Sequence, residues 1–326
     1  MQSRPFLALF VVGSALGNAA GAAGEVYPAR AITMIVAYPA GGSADVFGRI
    51  LVERMRVSLG QPIVIENVAG ASGNIGVGRL ARATGDGYTF GYGGWVTNVV
   101  NGAAYRLPYD VLKDFQPISL IASNPQLIVA RKTMPAKDLS EFIAWLRANP
   151  DKGLLGTTGV GSSSHIAGAF FQRETGTRFQ FVAYRGTPQW NQDLIAGQID
   201  FAIEQAASAL PHLRAGNTKA YAVTAKSRLA VAPEIPTVDE AGLPGFYMSP
   251  WHAFYAPKDT PQPIINKLNA AVLDALADPS VRRQFANLGL EIPPREQQTP
   301  EALDAHHKAE IEKWWPIIKA AGIKAE

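Results

Sequence analysis

The chain of 326 residues contains no cysteine, so neither disulfides nor thiolate metal sites contribute to it. Beyond its first two dozen residues it has no apolar run near the roughly 20 residues a membrane-spanning helix needs. Charge is sparse and balanced: 30 Lys and Arg stand against 27 Asp and Glu, a formal net charge of +3. No Lys/Arg cluster occurs, which excludes the basic stripe of a nucleic-acid binder. The five histidines, His165, His212, His252, His306 and His307, form no H-E-x-x-H pattern, and no metal or other cofactor is expected. His306 and His307 read as a solvated helix face. Walker sequences are absent too, and Gly73-Asn74-Ile75-Gly76-Val77-Gly78 misses the dinucleotide-binding spacing.

What is present begins with an export signal. Arg4 precedes the apolar stretch Phe6 to Leu16, and small residues follow through Ala23. About 11 apolar residues are too few to span a bilayer, and Ala20-Gly21-Ala22 fits the small-x-small rule, so cleavage is expected after Ala22 or Ala23. Residues 1–23 are therefore assigned to a signal peptide. Without a nearby cysteine to carry lipid, the expected product is a free, soluble, monomeric periplasmic protein. About 300 mature residues can bury a core without staples, and that length is more typical of two domains than of one.

Short apolar runs then alternate with helix-like stretches, the pattern of α/β layers on a mainly parallel sheet. Ala31 to Tyr38, Ile63 to Glu66 and Tyr88 to Tyr92 read as strands. A first helix runs to about Leu59, with Phe47, Ile50, Leu51, Met55 and Leu59 on one face and Gly60 as its stop. Leu154 to Gly156, Phe179 to Val182, Ile199 to Ile203, Ala220 to Val223 and Trp251 to Tyr255 are further strands. Asp138 or Ser140, Thr187-Pro188, Thr260-Pro261, Asp278-Pro279 and Thr299-Pro300 present helix starts. Pro316 inside the last helical pattern predicts a kink or a break.

Three βα turns are rich in small residues: Ala40-Gly41-Gly42-Ser43, Ala71-Ser72-Gly73-Asn74 and Gly159 to Ser164. Such a turn aims backbone N–H groups and the positive end of a helix dipole at one point, which suits a carboxylate, phosphate or sulfate. Any one of them could be an ordinary tight turn, but three in one α/β chain point to anion capture. Asp45 falls in the first helical turn, where it either orients the loop or competes with an anionic ligand. Ser162, Ser163 and Ser164 beside His165 leave a secreted serine hydrolase as an alternative, although no Gly-x-Ser-x-Gly elbow occurs.

Taken together, several stretches resemble the tripartite tricarboxylate transporter substrate-binding family, also called Bug proteins. They are Tyr38-Pro39-Ala40-Gly41-Gly42-Ser43-Ala44-Asp45, Asn67 to Gly76, Gly161-Ser162-Ser163-Ser164-His165, Tyr184-Arg185-Gly186-Thr187, Gly197-Gln198-Ile199-Asp200 and Pro236 to Gly245. The resemblance implies a type II periplasmic-binding-protein fold of two α/β lobes around a ligand cleft. It places residues 24–123 and 247–326 in lobe 1 and residues 124–246 in lobe 2. It also implies delivery of a small carboxylate to cognate membrane transporter subunits; apart from the resemblance, a ligand sensor that presents its closed form to a two-component histidine kinase is a further alternative. The ligand class stays open among dicarboxylates, hydroxy acids, amino acids and aromatic acids.

Mapped onto this chain, the family's loops imply ligand contacts at Ala40, Gly42, Ser43, Ala44, Ala71, Gly73, Ser162, Ser163, Ser164 and Thr187. Two departures bear on specificity. Gly93 to Asn98 replaces a stretch of small hydroxyl residues, so Trp95 is expected as an aromatic wall or as packing, and Asn98 as an amide. Glu204, directly after the predicted strand ending at Ile203, is expected either to repel a second carboxylate or to face solvent or an arginine.

Overall fold

The computed structural model describes residues 27–324, so the predicted signal peptide and its cleavage site lie outside the described residues. The first sheet-forming segment contains β1 (Ile32–Val36), α1 (Ser43–Leu59), β2 (Ile63–Asn67), α2 (Asn74–Ala81), β3 (Thr89–Gly94), α3 (Asn101–Ala104) and β4 (Phe115–Ser123). A second follows with β5 (Gln126–Arg131), α4 (Leu139–Ala148), β6 (Leu154–Thr157), α5 (Ser163–Thr175), β7 (Gln180–Ala183), α6 (Thr187–Ala196), β8 (Phe201–Gln205), α7 (Ala206–Arg214) and β9 (Thr218–Val223). The chain then returns through β10 (Trp251–Pro257) and ends in α8 (Gln262–Ala277), α9 (Pro279–Asn287) and α10 (Pro300–Ala320).

The strands form two five-stranded sheets, ordered β2-β1-β3-β10-β4 and β7-β6-β8-β5-β9. Each is parallel except for its fourth strand: β10 runs against β3 and β4, and β5 against β8 and β9. Those reversed strands are the first that each crossing delivers. The parallel strands end where their βα loops gather, whereas β5 and β10 begin there. Hence Gln126, Trp251 and His252, at strand starts, stand beside loops that follow strand ends.

The crossings are tied by backbone bonds: Asn124 N donates to Pro250 O (2.9 Å), Thr224 N to Gln126 O (2.8 Å) and Met248 N to Thr224 O (3.0 Å). Thr224 Oγ1 also accepts from Gln126 N at 3.0 Å. A buried threonine thus clasps both strands of the connection.

Helix α1 has its expected face: Phe47, Leu51, Met55 and Leu59 are buried, and Gly60 adopts φ 69°, a left-handed C-cap that favours glycine. Three sequence expectations change. The strand expected at Ile199 to Ile203 is Phe201–Gln205, because Gln198 and Ile199 still belong to the bend that leaves α6, with the Asp200 carboxylate just before the strand accepting from Leu154 N and Arg131, and Glu204 therefore lies within the strand. Helix α10 continues through Pro316 without a break, anchored by buried Trp314 and Ile318 on either side. His306 and His307 are not a solvated face. His307 is buried and its Nε2 lies 2.7 Å from Asn98 O, while the His306 ring packs edge-on to Trp251 at 5.2 Å. The apolar tryptophan surface that α10 covers draws both rings inward.

Candidate ligand-binding cleft

A cavity of about 540 Å³ lies where the loops of the two sheets face each other. The N-terminal ends of five helices meet it: α1 through Gly42 to Ala44, α2 through Gly73, α5 through Ser162 to Ser164, α6 through Gly186 and Thr187, and α7 through Gln205 and Ser208. The first-turn N–H groups of a helix have no partner within the helix. Four of these ends, capped by Gly42, Gly73, Gly186 and Gln205, receive no side-chain cap. The fifth is capped by Ser162, whose hydroxyl accepts from His165 N at 3.2 Å. Five positive helix ends around one space, with Arg185 the only Lys or Arg on its wall among the described residues, create a site for negative charge that relies on backbone N–H groups.

The first loop is held from behind. Asp45 is buried and accepts from Gly41 N (2.8 Å), Arg49 Nε (2.9 Å) and Asn67 Nδ2 (3.0 Å). Arg49 first, then these other donors, hold its carboxyl at about 2, below the usual carboxylate range. It is occupied with ordering the loop, and it is not on the cavity wall. The second loop is strained: Ala71 (φ 47°) and Ser72 (φ 53°) adopt left-handed backbone that non-glycine residues rarely visit. Gly73 (φ 91°) also sits where a Cβ would come within 2.8 Å of Thr97 Cγ2. That strain turns the start of α2 toward the cavity.

Of the residues expected from sequence, Gly42, Ser43, Ala44, Gly73, Trp95, Ser162, Ser163, Ser164, Thr187 and Glu204 line the cavity; Ala40, Ala71 and Asn98 do not. Asn98 is turned inward, its Oδ1 accepting from Gly94 N (3.0 Å) and Thr97 Oγ1 (2.8 Å). Trp95 does two things: it borders the cavity and packs edge-on to Trp314 at 5.1 Å. A second cavity of about 370 Å³ lies behind it, so Trp95, Pro250 and Trp251 form the partition between the two.

Glu204 neither faces solvent nor pairs with an arginine. It is buried, its partner is Asn191 Nδ2 at 3.4 Å, and burial pushes its carboxyl up to about 8. Sequence reasoning missed Gln126, Trp190, Tyr92 and His252, which also line the cavity. Burial holds the His252 imidazole down to about 4, so it is neutral at pH 7. The one available signal was polar residues at the starts of apolar strands, Gln126 in QLIVAR and His252 in WHAFYAP. The hydrolase alternative fails on geometry: the His165 ring packs on Phe181 at 4.7 Å and its Nδ1 is buried without a partner, while Ser162 Oγ and Ser164 Oγ face each other at 3.1 Å.

A family profile described as "Tripartite tricarboxylate transporter family receptor" matches residues 47–323. The chain belongs to that family. The receptor is 38% identical over 324 residues to the Agrobacterium vitis "UPF0065 protein in the TAR-I ttuE-ttuC' intergenic region", covering 99% of this chain and 92% of the relative. It is 34% identical to BugT of Bordetella pertussis, with 94% of each chain covered. Among solved structures it resembles MatC from Rhodopseudomonas palustris with bound malate, at 38% identity and TM-score 0.80, over 90% of this chain and all of that one. It also resembles Rpa4515 from R. palustris with adipate, at 32% identity and TM-score 0.82, over 91% and 99%. The fold is that of the two-lobed α/β periplasmic binding proteins, and the receptor is a solute-binding protein, not an enzyme.

Proposed function

We propose that this receptor captures a small carboxylate between its two lobes in the periplasm, after signal cleavage near Ala22 or Ala23, and delivers it as a monomer to its membrane transporter subunits. Residues 24–123 with 247–326 act as one lobe and 124–246 as the other, hinged where Thr224 joins the crossings. The observation that carries this reading is the convergence of five helix N-terminal ends on one cavity of about 540 Å³. One ligand carboxylate sits against the N–H groups of Ser43 and Ala44, while Gly42 and Gly73, whose own N–H groups donate within their turns to Pro39 O (3.3 Å) and Gly70 O (2.9 Å), present no side chain to it. The Ser162 to Ser164 and Thr187 ends approach it from the opposite side. Water bridges between these N–H groups and the ligand weaken binding little. Closure follows because a ligand touching both lobes binds the closed state better and shifts the population toward it.

The malate and adipate held by the two R. palustris relatives supply the first probes. In a thermal-melting screen of the purified mature protein, a cognate acid at 100 times its Kd adds about 2.7 kcal/mol, or roughly 5 °C for a chain of this size. The expected result is a reversible rise with no chemical change in the ligand. If no carboxylate among dicarboxylates, hydroxy acids, amino acids and aromatic acids shifts the melting point, the reading fails.

A further inference from the structure

On the wall formed by β8, β5 and α6, polar atoms lie buried without protein partners. Gln126 is wholly buried with neither Oε1 nor Nε2 bonded, Trp190 Nε1 donates to nothing, and Asn191 Oδ1 accepts from nothing. Beside them is Glu204, whose one hydrogen bond is the 3.4 Å contact from Asn191 Nδ2. Buried polar groups in native proteins are almost always hydrogen-bonded, so a cluster of orphans on a cavity wall marks the place of a ligand's polar group. Gln126, Trp190 and Glu204 all border the cavity, across it from the Gly42 to Ala44 loop.

The charge of that missing group follows from the surroundings. From β8 the neighbours are Ile203 and Gln205, from β5 Gln126 and Leu127, from α6 Trp190 and Asn191, and from α7 Ser208; none carries charge. Elsewhere on the cavity wall the titratable groups are Arg185 on the adjoining loop and Tyr38, Tyr92 and His252 on the opposite sheet. Burial keeps both tyrosines and the imidazole neutral near pH 7. A carboxyl in this position, lacking a cation, holds its proton and becomes a donor, joining Trp190 Nε1 and Gln126 Nε2.

Resting on the carboxylate reading above, we propose that Glu204, Trp190 and Gln126 form a distal subsite that accepts a second ligand carboxylate, with Glu204 donating its own proton in the hydrogen bond. The receptor is thereby selective for dicarboxylates over monocarboxylates, and dicarboxylate capture is coupled to one proton. The bare sequence suggests the opposite, an acid that repels a second carboxylate; burial reverses the sign by neutralising it.

The test is calorimetric titration between pH 6.5 and 9.5 with malate, adipate, succinate and aspartate, and with butyrate and hexanoate as monocarboxylates, on the wild type and on Glu204→Gln. In the wild type the affinity for the best dicarboxylate is expected to fall about tenfold for each pH unit above 8, since ionising Glu204 removes the donor. Glu204→Gln keeps a neutral amide donor, so it is expected to bind the dicarboxylate with no such pH slope. Monocarboxylates are expected to bind at least tenfold more weakly, also without the slope.

A dicarboxylate affinity that is flat with pH in the wild type overturns the proposal, as does loss of dicarboxylate binding in a folded Glu204→Gln. Aspartate binding that tightens with rising pH also overturns it, by showing an ionised Glu204 holding an ammonium. If monocarboxylates bind as tightly as dicarboxylates, the distal subsite is refuted while the carboxylate reading stands. If none of these acids binds at any pH, the distal subsite falls, and the carboxylate reading falls with it only when the amino and aromatic acids of the melting screen also fail to bind.

Discussion

Asp45 is the residue on which the first loop depends, and Asp45→Asn separates building that loop from competing with its ligand. The carboxyl moves from its ordinary 3.8 to about 2 on folding, nearly two pKa units at 1.36 kcal/mol each. Arg49 supplies the largest share and its side chain is half exposed, so screening trims the figure to about 2 kcal/mol. At roughly 2 °C per kcal/mol for a chain of this length, Asp45→Asn is expected to lower the melting temperature by about 4 °C at pH 7. Because the folded pKa is depressed, the stabilisation is complete above the unfolded value of 3.8 and is lost as pH falls toward 2. The gap between wild type and variant therefore closes on the acid side, which melting curves from pH 7 to pH 3 measure directly. Without its acceptor, the Gly41 N–H no longer fixes the loop, and whichever acid of the melting screen binds the wild type is expected to bind the variant more weakly at pH 7. An unchanged melting temperature with tighter binding would refute the reasoning, since Asp45 would then be a competitor of the ligand.

Two other perturbations test the remaining walls. Gly73→Ala places a Cβ at φ 91° and within 2.8 Å of Thr97 Cγ2, and about 1–3 kcal/mol of stability should go with it, together with ligand affinity; a variant that melts and binds like the wild type contradicts the loop geometry. His252 is held neutral down to about 4, so the wild type loses up to about 3 kcal/mol as pH falls from 6.5 to 4, because the unfolded chain takes up a proton that the folded one refuses. His252→Phe keeps an aromatic ring near Phe47 and Tyr92 and should remove that loss; melting curves of the two proteins that run parallel over that range would disprove it.

The βα units and their loops were legible in the sequence because each carries its own local signal: apolar run, small residues, amphipathic helix, glycine stop. Strand β4 and strand β5 were not marked as strands. Pro117 interrupts the first pattern, and Ser123-Asn124-Pro125 between them reads as a turn, whereas it is the crossing. The reversed strands bring Gln126 and His252 to the cavity through long-range topology, for which local periodicity has no term. Glu204 was recognised, but its environment was not: a strand shifted by two residues and a neighbouring helix decide that it is buried. The two histidines of α10 were misjudged for the same reason, since helix exposure is set by what lies beneath, here Trp251 and the Asn98 carbonyl.

The tryptophan partition has a consequence for signalling outward. Trp95 borders the ligand space on one side and Trp314 of the last helix on the other, and Trp314 in turn meets Phe170 of α5 at 5.5 Å. The last helix therefore rests against α5 of the second sheet segment as well as against Trp95 of the first, like a bolt lying across a door and its frame. In the proposed closure those rings shift against one another, and the outer surface of α10 shifts with them. Under the proposed delivery to a transporter, that surface carries the difference between a filled receptor and an empty one.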